Sequence, residues 1–308
     1  MLAVRRLKPP GGATVARLAG LLVLLAVGYQ QWLTADRGDL HGFHMAWSGG
    51  LYDIPWHFSG AFVYSPWAGV AIWPLSFLPF PLLNALWLAA QLAALAWLVG
   101  LPLAAVLAVF FQPVVRDLES GNIHLFLTVA VVLAVRHPQA WAFVALTKVT
   151  PAVGAAYHLG AREWRHAVVA AGVTIALVIL GFVLMPDLWL EWMDLLTDST
   201  DAPPHPADRL TIPVLYRLPV ALGIALLAGW RSWRWAVPFA AVLAMPSVWL
   251  SSITILLASW RLLRAGDLSV VLGPAAATSD APAEVRRGDD GPPAPASDGL
   301  RPPASGPG

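Results

Sequence analysis

The sequence contains no cysteine, which excludes a disulfide framework, a thiolate nucleophile and a cysteine metal site. It is also poor in charge. Asp, Glu, Lys and Arg make up 12% of its 308 residues, against about 25% in a soluble domain, while hydrophobic residues reach 58% and mean hydropathy is +0.65. That balance leaves too little polar surface for a domain facing water. The apolar residues fall in long runs that do not alternate, unlike the strands of a membrane β-barrel. No phosphate-binding glycine loop, dinucleotide fingerprint, Gly-x-Ser-x-Gly elbow or zinc-type His-Glu pattern occurs. A net charge of +1 carries no nucleic-acid footprint, and no cofactor is expected.

What is there is a succession of hydrophobic runs, and the expected fold is all-α: a polytopic transmembrane helical bundle of about eight membrane segments. A basic lead, residues 1–14, carries Arg5, Arg6 and Lys8, and Arg17 follows. The positive-inside rule sets this end in the cytoplasm of a multi-pass protein of the cytoplasmic membrane. The run 15–33 lacks a small-residue cleavage pattern and reads as a retained first span. Runs at 82–99, 167–185 and 212–230 read as further spans, and 235–260 as one kinked span or a tight pair around Pro246. Shorter runs occupy 67–79, 102–111 and 125–135. The run 140–157 holds Lys148 and Pro151 at its middle, so a broken helix is expected there. The transmembrane domain, 15–265, gives way to a Pro/Ala/Gly-rich tail, 266–308, expected to be disordered. Sixteen tryptophans suit a chain with two membrane interfaces.

Two polar segments lie between spans on the outer side. The second, 187–211, opens with tryptophans and leucines at helical spacing from Trp189 to Leu196, as an interfacial amphipathic helix would. Its acids form either a second wall of an external site or a solvated face. The first, 34–66, gathers carboxylates, histidines, glycines and aromatics. Asp39 is either a general base at the mouth of the bundle or a solvated loop acid. Asp36 and Asp53 compete with it, although Asp36 beside Arg37 reads as a surface pair. His41 and His44 either orient a carboxylate or bind metal, or are surface residues. Lys148 either faces an anion such as a lipid phosphate or snorkels to a bilayer face. Asn122 and His124, just after Gly121, either cap a helix or line an anion or sugar site.

Taken in order, these pieces carry a resemblance. Gly49-Gly50-Leu51-Tyr52-Asp53 follows the first outer acid. Then come Phe62 to Trp67, Pro74 to Pro79, Ser120-Gly121-Asn122-Ile123-His124, and Lys148-Val149-Thr150-Pro151 with Arg162-Glu163-Trp164-Arg165 downstream. Over roughly residues 15–190 the chain resembles the GT-C integral-membrane glycosyltransferases of family 87, which include polyprenol-phosphate-mannose-dependent mannosyltransferases. The resemblance implies an inverting transfer of a hexose, mannose first, from a polyprenyl-phosphate sugar to a lipid or glycan acceptor outside the cytoplasmic membrane. It implies membrane lipids as surroundings and no nucleic acid or metal. The base is then Asp39. Asn122, His124, Lys148, Tyr64 and His41 are the substrate-binding candidates, and Lys148 with Pro151 matches the family's Lys-x-x-Pro pattern as the donor-phosphate contact. His124 departs from the Asn usual at its place in that family. The alternatives are a small transporter or flippase, with broken helices at a midplane site, or a non-catalytic family-like membrane subunit.

Overall fold

A computed structural model describes residues 11–55, 58, 60–201 and 209–264, and among them there is helix and connecting chain but no strand. In order the helices are α1 (Gly12–Thr34), α2 (Gly38–Met45), α3 (Pro66–Ile72) running into a 3-10 turn at Trp73–Phe77, α4 (Phe80–Val99), α5 (Leu101–Phe110) and α6 (Gln112–Ser120). They continue with α7 (His124–Ala134), α8 (Ala140–Thr147), a 3-10 segment at Thr150–Ala155, α9 (Ala156–Gly160), α10 (Trp164–Leu184) and α11 (Pro186–Asp201). The chain then forms α12 (Val214–Trp230), a 3-10 turn at Arg234–Ala236, α13 (Val237–Leu243), a 3-10 segment at Leu250–Leu256, and α14 (Leu257–Leu262). The basic lead before Gly11, the stretch 202–208 of the second outer segment and the tail 266–308 lie outside the described residues.

Three of these helices, α1, α4 and α10, are long and apolar enough to cross a membrane, and α5 with α6 makes a fourth if that bent pair counts as one span. The sequence led to an expectation of about eight segments; the difference lies in how the remaining apolar runs are broken. Phe111 is extended, Pro113 follows it, and α5 and α6 meet at 82°. Lys148 leaves α8 in an extended conformation ahead of Pro151, so 140–157 breaks where its proline lies. The run 235–260 becomes two short helical pieces flanking Pro246 rather than one span. The run 212–230 is helical as α12 but has 17 residues.

The core forms where α4 and α7 cross, with Leu95, Leu98, Leu125, Leu127 and Val131 almost fully buried. α7 also packs on α8, α14 and the 250–256 segment, and α1 lies along α5. α10 is covered on one side by α8, while Val168, Ile175, Ile179 and Val183 stand exposed on it. An apolar surface of that size belongs in lipid. α11 is amphipathic as expected, but Trp189, Trp192 and Leu195 are buried against protein: they pack with Leu146, Phe182 and Trp67. The Trp192 indole donates to the carbonyl of Val63 at 3.3 Å.

α9 and α12 meet backbone to backbone through two glycines. A Cβ on Gly160 would sit 2.0 Å from the carbonyl oxygen of Leu226, and one on Gly229 would sit 2.1 Å from that of Tyr157. The chain turns from α9 into α10 through Glu163, whose carboxylate accepts from His158 and His166. Partial burial acts to raise the Glu163 carboxyl, and those hydrogen bonds outweigh it and leave it below its ordinary value.

The glycine crossing yields a direct check. Gly229→Ala should destabilise the protein by about 1–3 kcal/mol, because the carbonyl it meets is backbone and cannot swing away. Gly223→Ala, whose new methyl meets nothing within 4 Å, should be neutral or stabilising by about 1 kcal/mol. Thermal unfolding in detergent separates the two, and equal midpoints would refute the close crossing.

Candidate active site

The site starts where α1 ends. Arg37 adopts a left-handed conformation, φ 56°, and turns the chain into α2. Its amide donates to the carbonyl of Glu119 at 3.0 Å, and its guanidinium donates to the carbonyl of Leu118. Both acceptors lie in the last turn of α6, where helix carbonyls lack internal partners and a cation is favoured. Burial lowers Arg37 to about 10, with the charge of Glu119 opposing, so it stays protonated at neutral pH. The expected surface pair of Arg37 with Asp36 is therefore not what forms: Arg37 is 1% exposed and bonded to α6. With this turn pinned, Asp39 stands in the first turn of α2, and Leu40 packs against Gly121.

Gly121 is left-handed, φ 69°, and closes α6; a Cβ there would meet the Leu40 Cβ at 2.7 Å. This close approach brings Asn122 to Asp39. The Asn122 amide nitrogen donates to Asp39 Oδ2 at 2.6 Å, and its oxygen accepts the Ile123 amide at 2.7 Å. That second bond settles which way the amide faces. Behind it, Gln91 of α4 donates to the carbonyls of Asp117 and Asn122 at 3.0 and 2.9 Å.

Asp117 of α6 is fully buried and joins two helices. Its Oδ2 accepts the Leu125 amide and its Oδ1 the His124 Nδ1–H, both at 3.1 Å. The first bond caps the start of α7; the second fixes the imidazole tautomer and leaves Nε2 as an acceptor. Lys148 Nζ reaches that nitrogen at 3.2 Å and Ser252 Oγ at 3.3 Å. Lys148 thus projects inward from the broken end of α8 and does not snorkel. Asp39 and Asp117 both act electrostatically on it, and both also act on Tyr64, which is buried against Phe43 and Phe62.

Of the residues singled out in the sequence, Asp39, Asn122, His124, Lys148 and Tyr64 therefore gather in one cluster. His41 does not join it: exposed, it stacks on Phe80 at 3.9 Å. His44 binds the carbonyl of Leu78 at 2.9 Å, and Asp53 accepts the amide of Gly50 at 2.6 Å in its own loop. Sequence reasoning missed Asp117, Ser252 and Gln91. Asp117 sits in a conspicuous polar island, seven residues before His124, a spacing that crosses the α6–α7 turn. Ser252 and Gln91 lie inside apolar runs, and no local signal marks them.

Elsewhere, α1 and α4 enclose an open apolar groove of about 410 Å³. Leu25, Gly28, Tyr29 and Trp32 line one wall, and Ala85, Leu88 and Leu92 the other. α1 ends at Thr34, one short turn before Asp39.

Among the described residues, an all-helical fold with apolar outer faces, broken helices and a buried polar cluster defines a helical membrane protein. Residues 62–277 match glycosyltransferase family 87, and the chain belongs to that family. It is 27% identical over 212 residues to a Mycolicibacterium smegmatis protein and 28% identical over 223 residues to a Mycobacterium tuberculosis protein. Each is named a polyprenol-phosphate-mannose-dependent alpha-(1-2)-phosphatidylinositol pentamannoside mannosyltransferase. The matches cover 57% and 60% of this chain and 52% of each relative, so the chain spans about half the length of the curated relatives it matches. No solved structure matches it.

The double role of Asp117 is testable through stability. Asp117→Asn keeps the shape but turns one acceptor into a donor facing either Leu125 N–H or His124 Nδ1–H. The expected cost is about 1–3 kcal/mol, read as a lowered thermal midpoint in detergent. An unchanged midpoint would refute the cap.

Proposed function

We propose that the chain transfers a hexose, mannose first, from a polyprenyl-phosphate sugar to a hydroxyl of a lipid or glycan acceptor. The reaction takes place on the outer side of the cytoplasmic membrane, with inversion, and Asp39 is the general base. The observation that carries this is the Asp39 carboxylate, half-exposed and oriented by Asn122, in one polar cluster with His124 and Lys148. Asp117, the other carboxylate there, is fully buried and engaged at both oxygens, so it cannot meet an acceptor. Asp39 commits Oδ2 to Asn122 and keeps Oδ1 for a proton.

In the step, the acceptor hydroxyl gives its proton to Asp39 as its oxygen bonds the anomeric carbon. The bond from that carbon to the phosphate oxygen breaks on the opposite face, and the phosphate leaves with the electron pair. Lys148 has ammonium donors beyond the one directed at His124 and meets the charge growing on the phosphate. His124, held by Asp117, holds Lys148 in turn. The groove between α1 and α4 is apolar along its length and suits the prenyl chain of the donor.

Membranes containing the protein, given labelled polyprenyl-phosphate-mannose, should label a lipid or glycan acceptor. Asp39→Asn should lower that transfer by about 10²–10⁴-fold with an unchanged thermal midpoint. Lys148→Met should lower kcat/KM for donor at least about tenfold. Transfer retained by Asp39→Asn removes Asp39 as the base, and wild-type membranes that label nothing overturn the activity.

A further inference from the structure

The turn from α9 into α10 brings together three side chains that sugar transfer leaves unused. His158 is fully buried in α9, Glu163 precedes α10, and His166 lies in the first turn of α10. The Nδ1 atoms of His158 and His166 lie 2.7 and 3.0 Å from the same Glu163 oxygen, Oε2, and the three ligand atoms are all within 4.8 Å of one another. Tetrahedral bonds of ~2.1 Å hold ligand atoms ~3.4 Å apart, so a small spreading of this cluster accommodates an ion.

We propose that His158, Glu163 and His166 bind a borderline divalent cation, Zn²⁺ the best match, which ties α9 to the start of α10. Two imidazoles and one carboxylate form a donor set for Zn²⁺ rather than for Mg²⁺ or Ca²⁺, which take oxygen. Arg162 and Arg165 flank the cluster in sequence; they oppose a cation held by charge alone, which favours one held by imidazole lone pairs. The support behind the ligands is in place. His158 Nε2 lies 3.3 Å from the carbonyl of Ala134 and 3.3 Å from the Trp141 indole nitrogen. Without an ion, Nδ1–H donates to Glu163 and Nε2 accepts from Trp141. With an ion on Nδ1, the ring proton sits on Nε2 and donates to Ala134, the outer contact that metal-bound histidines make. The side chains of Glu163 and His166 are 32% and 44% exposed, so a water can complete four-coordination from that side. Ala134 ends α7 and His124 begins it, about 15 Å away along the helix. The ion is therefore structural and separate from the transfer chemistry.

The test uses the full chain in detergent, freed of any purification tag. Titrated with Co²⁺, it should bind one equivalent with visible d–d absorption that Zn²⁺ removes. Zn²⁺ at about 100 times its Kd should raise the thermal midpoint by roughly 5–10 °C, and Mg²⁺ should not. H166A and E163Q should each weaken Co²⁺ binding at least about tenfold. H166A changes a half-exposed residue, so it should fold even if variants of His158 do not. Wild-type protein that takes up no stoichiometric Co²⁺ overturns the proposal. So does a Co²⁺ affinity or a Zn²⁺-induced midpoint shift that survives in the H166A/E163Q double variant.

Discussion

The buried carboxylate of Asp117 is the contact on which the site depends. α6 stops at Gly121 and α7 starts at His124, so the chain has only a short turn in which to satisfy the free amides of a new helix. Asp117 reaches forward across that turn to the Leu125 amide and, with its other oxygen, takes the His124 Nδ1–H. One side chain thus starts a helix and sets an imidazole. Because that imidazole is fixed, its far nitrogen can receive Lys148 and Ser252, residues from two other parts of the chain. Arg37 does the matching work on the opposite side of the same turn, bonding the last carbonyls of α6 and setting the start of α2 with Asp39.

The surrounding fold makes room for these groups by interrupting its apolar runs. A helix uninterrupted across a bilayer satisfies its own backbone and offers no opening to a polar ligand. Here prolines and glycines stop the helices at Phe111, Gly121, Lys148 and Ala244; Gly121 and Ala244 are buried, and Phe111 and Lys148 are half-buried. The cost of irregular backbone is offset by contacts such as Gln91, an amide in an apolar helix whose donors serve two carbonyls. The three long helices stay largely smooth and supply the wall, with α10 exposing most of its surface.

α7 connects two polar clusters among the described residues. Its first residue belongs to the group around Asp39 and Lys148; the carbonyl of its last helical residue faces His158 in the turn before α10. The clusters differ in kind. At the first, a partly exposed carboxylate is bonded to an asparagine and a lysine reaches an imidazole that a buried carboxylate holds. At the second, two imidazoles share one carboxylate oxygen at the turn into α10.

Composition and run length alone decide that the chain is helical and belongs in a membrane, because no water-facing fold can be built with so little charge. The order of short motifs decides the family, and the pairing of Asp39 with Asn122 and Lys148 as site candidates is legible in it. The breaks at Pro113, Pro151 and Pro246 are legible too, since proline removes a helix hydrogen bond wherever it stands. The number of full spans is not: an apolar run that crosses and one that folds back share the same composition, and only packing on neighbours separates them. Nor are Asp117, Gln91 and Ser252, whose partners lie across turns or on other helices. Arg37 looks like half of a surface pair with Asp36, and only the tertiary fold turns it inward. His41 looks like a site residue, and only the tertiary fold stacks it outside on Phe80. Sequence determines which residues can carry charge in an apolar chain; the tertiary structure decides which of them face one another, because those contacts join segments that sequence leaves far apart.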